Sequence, residues 1–276
     1  MKPYIGITGA TTPAEIEELL SLFDDQGITM QSRHIPMIGI LASYKTLHGQ
    51  HTNNRRYPAI PSIPQLTAAI GNKALAMLHY NSRELSTLAD QVEQLMDDVY
   101  TNSTCRALQL NIPWPPLQQT CRIFHDFPDI EIVLQLSRSV LEGKTKEISR
   151  RMQDYAGLVS YVLIDPSGGK GEEFNMRRSV ELYWAIREAL PGAMVGFAGG
   201  FSDKNTFSRV KEIYQRIGTT DFCIDTEGGI RDKLSAEYGD DVLNFEKAER
   251  YACQASKALE ELHRTATILS EGCSHN

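Results

Sequence analysis

The 276-residue chain is poor in the features that mark several common classes. Its cysteines (Cys105, Cys121, Cys223, Cys253, Cys273) are odd in number and never fall into a C-x-x-C spacing. That excludes a disulfide framework or structural zinc site as the organising device, and fits a reducing compartment. Basic residues are in deficit: 28 Lys and Arg against 35 Asp and Glu leave a net charge of −7, so the chain has no basic footprint for nucleic acid. No apolar stretch approaches the ~20 residues that span a bilayer. Met1 leads straight into Tyr4-Ile5-Gly6-Ile7-Thr8 without a secretory h-region. A cytoplasmic protein without nucleic-acid or membrane partners is expected. The strand-like segments carry no lysine at their cores, which removes the nucleophile of Schiff-base aldolases. Histidines are isolated and the first strand has no His-x-His, which argues against a metal hydrolase. Neither G-x-S-x-G nor a Walker loop occurs. No metal and no cofactor is expected.

What the chain does have is a strict alternation of short apolar runs with segments of helical period. Strands are predicted at Tyr4–Thr8, Pro36–Ala42, Ala74–His79, Ala107–Leu110, Ile130–Leu136, Val159–Ile164, Ala193–Ala198 and Phe222–Asp225. Most are apolar throughout, as parallel strands covered on both faces are. Between them, Thr12-Pro13-Ala14-Glu15 reads as a capping box with proline at N1. Asn81 or Ser82 can cap a helix burying Leu85, Leu88, Val92 and Leu95, and Ser202 can cap a helix over Asp203–Ile217. Eight βα units and the chain length predict an α/β fold, a single-domain (β/α)8 TIM barrel over 1–266 with a tail at 267–276. A doubly wound open sheet is the alternative. The long polar connection Ser43–Pro61 follows the second strand and should lie on the C-terminal face, where such barrels place their chemistry.

Two turns stand out there: Ala198-Gly199-Gly200-Phe201-Ser202 and Glu227-Gly228-Gly229-Ile230, one βα unit apart. Small residues let a phosphate oxygen approach backbone amides, and barrels often hold phosphate on their last two loops. Asp165 ends an apolar strand before a glycine-rich loop; a general acid and an Asx-turn residue are both open readings. Asp225 could be a second carboxylate or a structural one. Glu227 suits a phosphate site only if its charge points away. His79 could polarise a carbonyl or be a satisfied strand-end histidine. Arg55 and Arg56 could clamp a carboxylate or merely solvate the long loop. Trp114, among prolines, could wall a ligand or pack beneath a turn.

Ala198-Gly199-Gly200-Phe201-Ser202-Asp203-Lys204-Asn205 resembles the A-G-G-[LI]-x-P-x-N stretch of the phosphoribosylanthranilate isomerase family. Ile224-Asp225-Thr226-Glu227-Gly228-Gly229-Ile230 is similar to its V-D-x-S-S-G-V-E. Leu163-Ile164-Asp165-Pro166-Ser167-Gly168-Gly169-Lys170-Gly171 is similar to its L-L-D…G-G-T-G. The match is good in the C-terminal half and rests mainly on barrel periodicity in the N-terminal half.

The resemblance implies a phosphorylated small-molecule substrate of sugar type, with its phosphate on Gly199, Gly200, Gly228 and Gly229. It implies an Amadori-type isomerisation with Asp165 as acid, and the family's substrate-binding arginine matches Arg55 or Arg56 loosely; His79, Asn111 and Gly169 are the further substrate-binding candidates. The family's cysteine base falls at Thr8, whose hydroxyl is too weakly acidic to replace it unaided. Asp225 or Glu227 is then the base of a changed reaction. The other reading is a catalytically silent barrel that binds a phospho-metabolite. A homodimer is compatible with either.

Overall fold

The computed structural model describes residues 1–167 and 175–272, with side chains described as far as residue 265. Eight parallel strands run in sequence order: β1 (Tyr4–Thr8), β2 (Ile35–Ser43), β3 (Leu75–Asn81), β4 (Ala107–Leu110), β5 (Glu131–Ser137), β6 (Tyr161–Asp165), β7 (Met194–Ala198) and β8 (Cys223–Thr226). β8 pairs back onto β1 with Gly6 opposite Asp225, so the sheet closes into a barrel. Closure excludes the open-sheet alternative. A long helix follows each strand: α1 (Pro13–Asp25), α2 (Ile63–Ile70), α3 (Leu88–Thr101), α4 (Leu117–Asp126), α5 (Thr145–Gln153), α6 (Met176–Ala189), α7 (Thr206–Ile217) and α8 (Phe245–Gly272). The molecule is a (β/α)8 barrel.

Strand pleating divides the apolar residues into two cores. On β1, Ile5 and Ile7 face outward and join Ile38, Leu78 and Val162 beneath the helices. Tyr4 faces inward, where Met37, Met77, Val133, Tyr161 and Leu163 plug the barrel. The same period of two then places the next inward residue of each strand at the C-terminal mouth. After Met77 comes His79, after Ala107 Gln109, after Val133 Gln135, after Leu163 Asp165, and after Cys223 Asp225. The barrel is thus apolar at its base and polar at its mouth.

The capping box is formed as expected: Glu15 N–H donates to Thr12 Oγ1 at 3.2 Å and Thr12 N–H to Glu15 Oε2 at 3.2 Å. Two other helix starts differ from expectation. Ser82 accepts from Glu84 N–H and donates to Glu84 O, closing a local turn, and α3 begins only at Leu88. Ser202 likewise accepts from Lys204 N–H in a turn before α7, which starts at Thr206 rather than Asp203. In both cases the serine side chain completes a short loop turn instead of a helix cap. The terminal helix runs to Gly272, past the expected boundary at residue 266.

One element was not foreseen. After β8 and a short 3-10 turn (Gly228–Ile230), the chain forms an antiparallel hairpin, β9 (Arg231–Lys233) with β10 (Asp241–Leu243). The long β2 connection docks on it: Arg55 N–H donates to Gly239 O at 2.9 Å, and Arg55 Nε lies 2.8 Å from Asp240. Loop and hairpin together wall one side of the mouth.

Candidate functional site

The two glycine turns meet at the mouth. Thr226 Oγ1 donates to Phe201 O at 2.8 Å. A Cβ on Gly229 would lie 1.9 Å from that same carbonyl oxygen, so only glycine fits there. Gly199 and Gly200 both have positive φ, +89° and +70°. Their carbonyls turn toward α7: Gly199 O accepts from Arg209 Nη1 at 3.1 Å and Gly200 O from Asn205 Nδ2 at 2.8 Å. Across a trans peptide the N–H points opposite to the preceding C=O, so the amides of Gly200 and Phe201 face away from α7. Gly199, Gly200, Phe201, Gly228 and Gly229 all line one cavity of ≈ 280 Å³.

Asp165 lines the same cavity, as do Asp225 and Glu227. Asp165 accepts from Gln135 Nε2 at 2.6 Å, from Ser167 N–H at 2.9 Å and from Ser167 Oγ at 2.8 Å. The Asx-turn reading therefore holds, and the same carboxylate also faces the cavity. The glycine-rich loop beyond it, Gly169 included, lies outside the described residues.

Thr8 does not line the cavity. Its hydroxyl lies 3.1 and 3.2 Å from the two Asp225 carboxylate oxygens. Burial, with the charges of Glu227 and Asp165, pushes the Asp225 carboxyl well above the usual range, and Thr8 only partly offsets this. Burial likewise raises Glu227 to about 6, against the pull of Arg56. At neutral pH Glu227 is largely ionised.

Arg56 is not a surface arginine; it is 3% exposed. It forms a bidentate pair with Asp241, at 3.0 Å through Nε and 2.5 Å through Nη2, and its Nη1 lies 2.5 Å from Glu227. Arg231 adds a bond to Asp241 at 3.3 Å and another to Gly9 O at 2.6 Å. Two arginines thus balance two carboxylates, and the Glu227 charge that would oppose a phosphate is compensated within the protein. Arg55 stands apart, its side chain 62% exposed and paired with Asp240.

His79 lines the cavity floor beside Gln109 and Asn111. Gln109 Nε2 lies 3.1 Å from His79 Nδ1 and donates to Asn111 Oδ1 at 2.7 Å. Burial alone lowers the His79 imidazole to about 3. Trp114 does not line the cavity; it stacks on Tyr155 with Arg151 over its face, so the packing reading is the one the contacts support.

Sequence reasoning missed Arg231, Asp241, Tyr57 and Tyr238. The last two line the cavity, Tyr238 with Arg56 over its ring. Strands of three residues carry no readable period, so nothing marked the hairpin. Among the described residues, no group of three or more His, Cys, Asp or Glu side chains is placed to hold a metal ion. No described helix is long and apolar enough to cross a membrane.

No protein-family model matches the sequence, and no curated protein matches it. Solved structures do. Phosphoribosyl anthranilate isomerase from Thermus thermophilus aligns with a TM-score of 0.60 at 15% identity, covering 92% of this chain and 98% of that one. A phosphoribosyl anthranilate isomerase in complex with reduced 1-(o-carboxyphenylamino)-1-deoxyribulose 5-phosphate aligns at 0.57 and 13%, covering 92% and 99%. Tryptophan synthase from Mycobacterium tuberculosis aligns at 0.58 and 10%, covering 93% and 92%. At these identities the likeness establishes the fold.

Proposed function

We propose that the mouth of this barrel binds a phosphorylated sugar-type metabolite and isomerises it by acid–base chemistry, with a substrate or reaction changed from that of phosphoribosylanthranilate isomerase. One observation carries the reading: the two glycine turns pack against each other on the rim that holds Asp165. In this reading the amides of Gly199, Gly200, Gly228 and Gly229 hold the phosphate, and the rest of the molecule extends over Asn111 and Asp165. The similar structure that holds a 1-deoxyribulose 5-phosphate derivative supports the same ligand class.

Aldose–ketose isomerisation moves a proton from one carbon to its neighbour and needs a base and an acid. Asp165 is the acid. Of the carboxylates that could replace the missing cysteine, Glu227 is the better base, because burial raises it only to about 6, whereas Asp225 is pushed well above the usual carboxylate range and is bonded to the Thr8 hydroxyl. Arg56, held by Asp241 and Glu227, acts as a clamp between the long loop and the hairpin rather than as a receptor for a substrate carboxylate. That favours an uncharged group where the isomerase family's substrate carries a benzoate. A cytoplasmic setting belongs to this reading.

Calorimetric titration with inorganic phosphate tests the binding half: saturable binding that Gly229→Ala weakens supports it, and no binding refutes it. For the catalytic half, Asp165→Asn should abolish turnover and leave the unfolding temperature nearly unchanged; Gln135 needs only to turn its amide to accept from the new Nδ2. Unchanged kinetics would end that assignment. Growth of a tryptophan auxotroph lacking the isomerase, rescued by this chain, would show the family's own reaction despite Thr8. The silent-binder reading draws on the Thr8 hydroxyl being directed at Asp225, and phosphate binding without turnover of any pentose phosphate favours it.

A further inference from the structure

Gln135 stands inward on β5, next to Asp165 on β6, and lines the cavity without belonging to the glycine turns. The acid sets its amide. Asp165 accepts from Ser167 N–H and Oγ, and takes a further bond from Gln135 Nε2 at 2.6 Å. A carboxylate only accepts, so the nitrogen faces it and Oε1 is left as a spare acceptor. Oε1 has no partner among the described residues and, unlike His79 Nε2 and Gln109 Oε1, it is open to solvent.

The next strand continues this chemistry. Asn111 follows β4 and stands beside Gln135 in the register that pairs Leu110 with Leu134. Its Oδ1 accepts from Gln109 Nε2 at 2.7 Å, which leaves Nδ2 as a donor, likewise unpartnered and open to solvent. Asn81 and Ser137 extend the lining over β3 to β5. With His79 neutral, no described lining residue of this arc carries a charge. An open acceptor beside an open donor complements a hydroxyl, which does both. A phosphate or carboxylate would meet no cation from these residues.

We infer that Gln135 is a specificity residue for the sugar end of the ligand: Oε1 accepts from the hydroxyl on the carbon next to the carbonyl, and Asn111 Nδ2 donates to it. The ligand is then a monophosphate whose other end is an uncharged, hydroxylated chain. The inference rests on the sugar-phosphate reading above and deepens it. Around the rim the glycine turns follow β7 and β8, the acid ends β6, and the arc spans β5 to β3. A pentose phosphate held at the turns therefore lays its first carbons past Asp165 onto Gln135. An analogue without that hydroxyl covers Oε1 and leaves it unpaired, which the site penalises.

Calorimetry on the full-length chain tests this with defined probes. The wild type should bind D-ribose 5-phosphate about tenfold more tightly than 2-deoxy-D-ribose 5-phosphate. It should bind D-ribulose 1,5-bisphosphate no more tightly than D-ribulose 5-phosphate. Gln135→Met keeps the side-chain length and removes the acceptor; it should bind the two ribose phosphates alike and inorganic phosphate as the wild type does. A residue that merely orients Asp165 would alter turnover and leave the hydroxyl preference in place. Equal wild-type affinity for the two ribose phosphates refutes the inference, and so does a bisphosphate bound tenfold more tightly than the monophosphate. Both comparisons need only the wild type, so they decide the matter even if Gln135→Met does not fold. Failure to bind inorganic phosphate with the hydroxyl preference intact refutes the cradle and spares Gln135; failure to bind any sugar phosphate refutes both.

Discussion

Gly229→Ala tests the packing of the two turns at one atom. The added Cβ would lie 1.9 Å from Phe201 O and 2.9 Å from Phe201 C, whereas real Cβ atoms essentially never approach within 3.0 Å. Both atoms are backbone, and Thr226 Oγ1 pins the oxygen at 2.8 Å, so no flexible side chain can absorb the overlap. The turns must part by more than an ångström. Overpacking of this kind costs about 1–3 kcal/mol, and the transition should fall by several degrees. A cradle opened that far loses simultaneous contact with one anion, and inorganic phosphate should bind at least tenfold more weakly. Gly192→Ala is the control, since its Cβ meets nothing within 4 Å. Differential scanning calorimetry and phosphate titration on both variants decide the matter. If Gly229→Ala matches Gly192→Ala in both, the two turns do not pack against each other.

Other expectations follow from the charges at the mouth. Arg56→Met removes the cation between Asp241 and Glu227 and should destabilise the fold by about 3–5 kcal/mol, whereas Arg55→Met should leave urea unfolding unchanged, because its pair with Asp240 is largely exposed. Glu227 titrates at about 6 in the folded chain against an ordinary 4.5. Over that range the native state keeps a proton that the unfolded chain releases. Its contribution is therefore full below about 4.5 and lost as the pH rises through about 6, on the order of 2 kcal/mol in all. Asp225, also raised, acts with the same sign. Urea midpoints measured from pH 4.5 to 7 should fall less steeply in Glu227→Gln than in the wild type.

The barrel was legible because its strands are short apolar runs separated by helices with clear stop signals. β1, β4 and the end of β7 were read to the residue, and the other strand limits shifted by one or two positions. The mouth was legible because Asp165, Asp225 and His79 stand at the ends of the expected strands; the period of two in the folded barrel then sets them inward. Pairing was not legible. That Arg56 would be buried against Asp241 depends on a hairpin of three-residue strands. Only the folded chain brings residues 56 and 241 together. The starts of α3 and α7 were misread for a local reason: serine completes a turn as readily as it caps a helix, and its neighbours decide which.

The late glycine turns, in the proposed reading, form one anion site facing Asp165. Crystals soaked in inorganic phosphate test it most directly. A tetrahedral density peak is expected between the Gly199-Gly200 and Gly228-Gly229 amides. Phosphate bound elsewhere on the molecule, with that position filled only by water, would contradict it.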